Sequence, residues 1–113
     1  MRKPNAIDYL AIYAARGCAT KFQMELLART VLDCSRKAAL AYVRRGFLRN
    51  ADVDDVCQET WARIFARLQT FDAQKAAFET WIGVVARSVV GDFRRQYGKD
   101  AVLVPLEGDV DGD

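Results

Sequence analysis

Residues 52–65 read DVDDVCQETWARIF, a stretch that combines a helical period with a high concentration of acid. Its apolar residues recur at steps of three and four, which predicts an amphipathic helix. The predicted apolar stripe consists of Val53, Val56, Cys57, Thr60, Trp61, Ile64, Phe65 and Leu68. The opposite face is polar and carries Asp54, Asp55, Gln58, Glu59, Arg63 and Arg67.

Local helix effects account for some of the acidic residues of this stretch better than for others. Asp52, Asp54 and Asp55 lie at the predicted helix start, where the macrodipole stabilises negative charge. Gln58 and Glu59 lie beyond the first turn, so capping explains them less well, although Glu59 can pair with Arg63 at the i,i+4 spacing.

The rest of the chain predicts further helices and no convincing strand. Residues 5–16 form a short amphipathic helix that Gly17 ends, and Thr20 with Gln23 makes a capping box for a second helix that runs to about residue 48. Asp33 or Ser35 could divide this helix, but one long helix is favoured. A fourth helix is predicted from about 76 to 97, with an apolar stripe of Phe78, Trp81, Ile82, Val85, Ala86, Val89 and Phe93. The fold class predicted is all-α, a compact bundle of about four helices.

Composition excludes several classes of function. The 113 residues contain no histidine and three widely spaced cysteines, without a C-x-x-C or a phosphate-binding loop. We therefore expect neither an enzyme nor a metal or other cofactor. No apolar run is long enough to span a membrane, and Asp8, Tyr9 and Tyr13 interrupt the apolar stretch that a signal peptide would need, so we expect a cytoplasmic protein.

The order of residues in two linked segments resembles region 2 of the bacterial RNA polymerase sigma factors, specifically the extracytoplasmic-function (ECF) group. The segments are DVDDVCQETWARIFARLQTFD and AFETWIGVVARSVVGDFRRQ. The positions that match the family pattern are Asp52, Asp55, Val56, Gln58, Glu59, Thr60, Trp61, Phe71, Phe78, Trp81, Ile82, Val85, Ala86, Asp92, Arg94 and Arg95. On this basis residues 20–99 are expected to form the sigma region 2-like domain. Residues 1–19 would be a helical extension, and residues 100–113 a C-terminal segment, in which 102–106 packs back on the bundle, ending in an acidic linker or tail.

The resemblance implies two partners. In the family, the acidic helix docks on an arginine-bearing coiled coil of the largest subunit of core RNA polymerase, which would assign polymerase binding to Asp52, Asp54, Asp55, Gln58 and Glu59. The following loop and helix face the unpaired non-template strand of the promoter minus-ten element, with one base turned out. The candidate DNA-binding residues are then Phe71, Lys75, Phe78, Trp81, Arg87, Ser88, Arg94 and Arg95, with Phe71 and Phe78 walling the base pocket. For Trp81, helical spacing favours a place in the core over a stacking surface for a base. Without the family match, Arg94 and Arg95 would be taken as a solvated helix end.

Two other functions remain open from sequence alone. One is a helix-turn-helix regulator that reads duplex DNA, although the helices are long and the connections lack a tight glycine turn. The other is a sigma-like decoy that binds polymerase or an anti-sigma factor without binding DNA.

Overall fold

The computed structural model describes residues 2–97, and this part of the chain is an all-helical bundle without strands. The helices are α1 (Ala6–Ala15), α2 (Lys21–Arg44), α3 (Val53–Ala66) and α4 (Phe78–Tyr97). Short 3₁₀ turns precede and follow α3 at Asn50–Asp52 and Leu68–Thr70. The predicted packing of residues 102–106 and the acidic tail lie outside the described residues. None of the helices described has the length and hydropathy that crossing a membrane would require.

A capping box sets the start of α2. Thr20 accepts the backbone N–H of Gln23, and Gln23 accepts that of Thr20, which confirms the predicted capping box. α2 is continuous through Asp33 and Ser35, as favoured, and the buried Ser35 hydroxyl donates to the Val31 carbonyl of the same helix. It ends at Arg44, a full turn before the predicted end.

Both α1 and α2 end in the same hydrogen-bonded motif. Gly17 and Gly46 have positive φ angles of 75° and 82°, and the residue after each glycine donates its N–H to the carbonyl five residues earlier. This Schellman arrangement closes the helix because glycine adopts the left-handed conformation without strain.

We expect Gly17→Ala to lower the free energy of unfolding by about 1–2 kcal/mol, because an L side chain at positive φ is strained. Gly83→Ala is the matched control, since Gly83 is inside α4 with open space at the Cβ position. There alanine is the better helix former, so the free energy should rise by up to about 1 kcal/mol. Urea denaturation measures the free energy of unfolding of both variants. A loss of stability in both would contradict the assignment of the Gly17 effect to its positive φ.

The core forms two adjoining clusters along α2. The first lies under α1 and consists of Leu10, Ala11, Leu27, Val31, Ile64, Leu68, Phe78 and Ile82. The second lies toward the other end of α2 and consists of Ala39, Leu48, Val53, Val56, Cys57, Val89 and Val90. The predicted stripes of α3 and α4 supply most of these side chains. Phe65 is the exception: it is 53% exposed, so its place in the predicted stripe was wrong.

An ionic contact joins the N-terminus to the start of α4. Asp8 is fully buried, and its carboxylate accepts the backbone N–H of Phe78 at 2.8 Å and that of Asn5 at 2.9 Å. Arg2 donates to the same carboxylate at 2.9 Å and to the carbonyl of Ala73 at 2.6 Å. Burial opposes ionisation of Asp8, but the hydrogen bonds from Phe78, Asn5 and Arg2 prevail and hold its pKa below the ordinary 3.8. We name Arg2, Asn5 and Asp8 the N-terminal clip.

The lowered pKa of Asp8 predicts a loss of stability in acid. Its contribution is fully present above the unfolded-state pKa near 3.8 and disappears as the pH falls through the lower folded-state pKa. The difference in urea midpoint between the natural protein and Asp8→Asn should therefore shrink as the pH is lowered from 6 to 3. Other carboxylates titrate in both proteins and cancel in the comparison. A difference that stays constant with pH would show that Asp8 carries no such charge-dependent stabilisation.

Candidate functional site

The exposed side of α3 carries four of the five residues predicted to bind polymerase. Asp54, Asp55, Gln58 and Glu59 are exposed, and we call them the acidic face. A shallow groove of about 540 Å³ runs beside Asp55, Gln58 and Glu59 and is closed on its other side by residues of α4. Acceptor oxygens with solvent access are therefore presented along one helix.

Asp52 does not belong to this surface. It is 5% exposed, and the Arg49 guanidinium donates to both of its carboxylate oxygens, at 2.8 and 3.2 Å. Asp52 is therefore buried against Arg49 at the start of α3, and its predicted contact with polymerase stays a prediction.

Arg63 connects the acidic face to α4. It donates to Glu59 at 3.0 Å, the predicted i,i+4 pair, and to Asp92 of α4 at 2.6 Å. The hydrogen bond from Arg63, with Arg95 also close, holds the pKa of Asp92 below its ordinary value. Arg63 therefore links the two helices and orients Glu59. Asp54 also has a cationic partner, Arg36 of α2 at 2.7 Å, but both side chains are exposed and this pair contributes little.

A second candidate site lies where the connection between α3 and α4 folds over α4. A pocket of about 230 Å³ is lined by Thr70, Phe71, Asp72, Lys75, Ala76, Thr80, Trp81 and Val84, and we call it the aromatic pocket. The Phe71 and Trp81 rings are stacked, with centroids 5.7 Å apart and planes 15° from parallel. Lys75 is exposed at the same opening. The pocket thus combines a planar apolar wall with a positive charge.

Phe78 differs from its predicted role. It is fully buried and does not line the aromatic pocket, so the prediction that Phe78 forms a wall was wrong. Its ring meets Phe71 and Trp81 edge-on, at centroid distances of 5.1 and 5.8 Å. Phe78 therefore supports the stacked pair from inside the core, and Trp81, half-buried, both packs on the core and lines the pocket.

The predicted polar contacts on α4 do not converge on one point. Arg87 is exposed in a groove next to the aromatic pocket, where Thr80 and Val84 line both. Ser88 is exposed in a different groove, between α3 and α4, which also reaches Trp81.

Arg94 and Arg95 lie further along α4. A helical rise of about 1.5 Å per residue puts them about 20 Å from Trp81 along the helix axis. The Arg94 guanidinium lies 4.4 Å from the centre of the Phe47 ring, and Arg95 is hydrogen-bonded to Asp92. Both remain exposed, but neither is part of the pocket.

Sequence reasoning missed Thr80 and Val84. Val84 is 60% exposed and lines the aromatic pocket as well as both neighbouring grooves. A signal was available, because Val84 is apolar and lies outside the helical stripe of α4. Thr80 gave no comparable signal.

Comparison with protein families gives a match to the model for sigma-70 region 2 over residues 31–99. Neither the curated proteins nor the solved structures contain a match to this chain. The matched span includes most of α2, all of α3 and α4, and both candidate sites, and it covers more than half of the chain. The chain therefore belongs to the sigma-70 region 2 family, the domain through which RNA polymerase sigma factors take part in polymerase binding and promoter recognition.

Proposed function

We propose that this domain docks on core RNA polymerase through the acidic face and holds one unpaired base of the minus-ten non-template strand in the aromatic pocket. The observation that carries the proposal is the stacked pair Phe71 and Trp81 at the wall of an open pocket, with Lys75 beside it. A base turned out of a duplex loses its stacking, and an aromatic wall can replace that contact.

The different chemistry of the two sites supports the assignment of two partners. The acidic face presents carboxylates of α3, which suit charge-assisted hydrogen bonds to guanidinium groups. The aromatic pocket and the exposed Arg87 offer apolar surface and positive charge, which suit a base and its flanking phosphates. Arg94 and Arg95 would meet the strand several nucleotides from the base. We further propose that the domain belongs to the ECF group and acts in the cytoplasm, where core polymerase is found.

The test is binding of the full chain to core polymerase, followed by binding of that complex to promoter DNA in three forms. The forms are closed duplex, duplex with the non-template minus-ten strand unpaired, and the non-template strand alone. We expect polymerase binding and tighter binding to the two unpaired forms. Tightest binding to closed duplex would favour a helix-turn-helix regulator, and polymerase binding without DNA binding would favour a decoy.

A further inference from the structure

We infer that the N-terminal clip positions the aromatic pocket for the base, with Asp8 as the central positioning residue. This inference rests on the proposed function, because it assigns the shape of the same pocket to residues outside the family match at 31–99. The clip contacts the loop between α3 and α4, at Ala73 and Gln74, and the start of α4, at Phe78.

The first contact fixes the start of α4. The N–H of Phe78 is buried at the first helical position, where no earlier residue of the helix accepts it. Asp8 supplies that acceptor across 70 positions of sequence. Since Phe78 is fully buried and touches both Phe71 and Trp81 edge-on, the position of its backbone determines where the stacked pair lies.

The second contact fixes the loop. Arg2 donates to the carbonyl of Ala73, and the Gln74 side chain donates to the carbonyl of Arg2 at 3.2 Å. Ala73 and Gln74 lie between Asp72 and Lys75, which line the pocket. Arg2 therefore binds the loop at Ala73 and Gln74, while the adjacent residues Asp72 and Lys75 line the pocket.

The charge of Asp8 joins the two contacts. Its Oδ1 accepts from Phe78, while its Oδ2 accepts from both Asn5 and Arg2. Without this carboxylate, Arg2 loses its ion pair and the buried N–H of Phe78 loses its acceptor. An unsatisfied buried donor is costly, so the start of α4 and the loop would shift to find another partner.

The experiment measures the contribution of a single base to binding. The probes are short fluorescent DNA strands that carry one base, A, C, G or T, on an otherwise abasic backbone, together with a fully abasic strand. The ratio of their affinities isolates the base, because phosphate contacts are the same in all probes. For the natural chain we expect about tenfold tighter binding with the preferred base than with none, in line with stacking on an aromatic side chain.

In Asp8→Ala and Arg2→Ala we expect the preferred base to improve binding by no more than about twofold over the abasic strand. The affinity for the abasic strand itself should stay within about twofold of that of the natural chain. Arg2→Ala is the milder variant, since Arg2 is only partly buried, and it decides the outcome if Asp8→Ala does not fold. Thr20→Ala is the matched control: it removes the exposed cap of α2 and should leave the ratio unchanged. All variants are compared well below their unfolding temperatures.

Two results would overturn the inference separately from the proposed function. If the natural chain discriminates base from abasic strand and the folded clip variants do so equally well, the clip has only a stabilising role and the inference is wrong. If the Thr20→Ala control loses the ratio as the clip variants do, general loosening explains the effect and the inference is again wrong. If the natural chain binds the strands that carry a base no more tightly than the abasic strand, the proposed function fails, and the inference that rests on it fails with it.

Discussion

Replacing Glu59 by lysine is expected to weaken binding of the domain to core RNA polymerase by about 30-fold or more while the domain stays folded. Truncating one partner of a desolvated, hydrogen-bonded charge pair at an interface costs about 2–5 kcal/mol, and reversal adds repulsion to that loss. The lower value corresponds to about 30-fold in dissociation constant. Glu59 is an acid of the proposed face whose side chain is already oriented by Arg63, which is itself bonded to α4.

The fold should tolerate this change. The Glu59 and Arg63 side chains are 46% and 32% exposed, and an exposed i,i+4 pair contributes only about 0.3–0.5 kcal/mol to stability. Arg63 also keeps its hydrogen bond to Asp92, so the link between α3 and α4 remains. A large change in the unfolding midpoint is therefore not expected.

Fluorescence anisotropy of the labelled domain titrated with core polymerase measures the effect. Gln58→Lys, one position earlier on the same exposed side, should weaken binding in the same direction. Glu25→Lys makes the same charge change on α2, away from the acidic face, and serves as the control for net charge. Equal affinities for the Glu59→Lys variant and the natural chain would remove Glu59 from the interface, and an equal loss in Glu25→Lys would indicate a general electrostatic effect.

The sequence predicted the helices well because their signals are local. The capping box at Thr20 and Gln23, the glycine at 17, and the periods of α3 and α4 each involve residues within a few turns of one another. The predicted end of α2 at about residue 48 was wrong because the prediction ran past Gly46. In the structure it closes the Schellman motif, which requires the helix to stop at Arg44.

Two buried acids show where local reasoning fails. Asp8 was noted only as an interruption of an apolar stretch, because its partner Phe78 lies 70 positions later in the sequence. Asp52 was grouped with its exposed neighbours Asp54 and Asp55, although one turn of 3₁₀ helix directs it to Arg49. The contact of Asp8 with Phe78 cannot be read from spacing, since it depends on where the chain returns in space. The Arg49–Asp52 pair is local, with an i,i+3 spacing that the helical period of α3 did not reveal.

The aromatic residues were predicted as a group but not in their separate roles. In the structure the rings of Phe71, Phe78 and Trp81 meet. Helical spacing alone cannot tell which ring faces the core and which faces the opening, because the loop supplies one wall of the pocket. The fully buried ring proved to be Phe78, and Trp81 is shared between core and pocket.

Trp81→Ala is expected to lower the affinity for single-stranded non-template DNA by about 5- to 150-fold, because stacking on an aromatic side chain contributes about 1–3 kcal/mol per base. Since Trp81 also packs on the core, Val84→Glu provides a second variant. Val84 is exposed at the same pocket, so the added carboxylate should repel the strand without opening the core. Phe65→Ala, which removes an exposed aromatic ring from α3, is the control and should bind normally.

The natural domain should bind the single strand more tightly than the matched duplex, and only weakly at physiological salt. If about three cations, Arg87, Arg94 and Arg95, neutralise phosphates, the slope of log affinity against log salt is expected to be about −2. Arg87→Ala or Arg94→Ala should weaken binding to all sequences alike and make that slope shallower by about 0.7. Exchanging Lys75 or Ala76 in the pocket should instead change which base is preferred at one position. Titrations of short fluorescent oligonucleotides at several salt concentrations separate these effects. Tighter binding to the duplex would contradict the preference for the single strand. An arginine variant that changes base preference and leaves the salt slope intact would contradict the proposal that the pocket selects the base while the arginines bind the backbone.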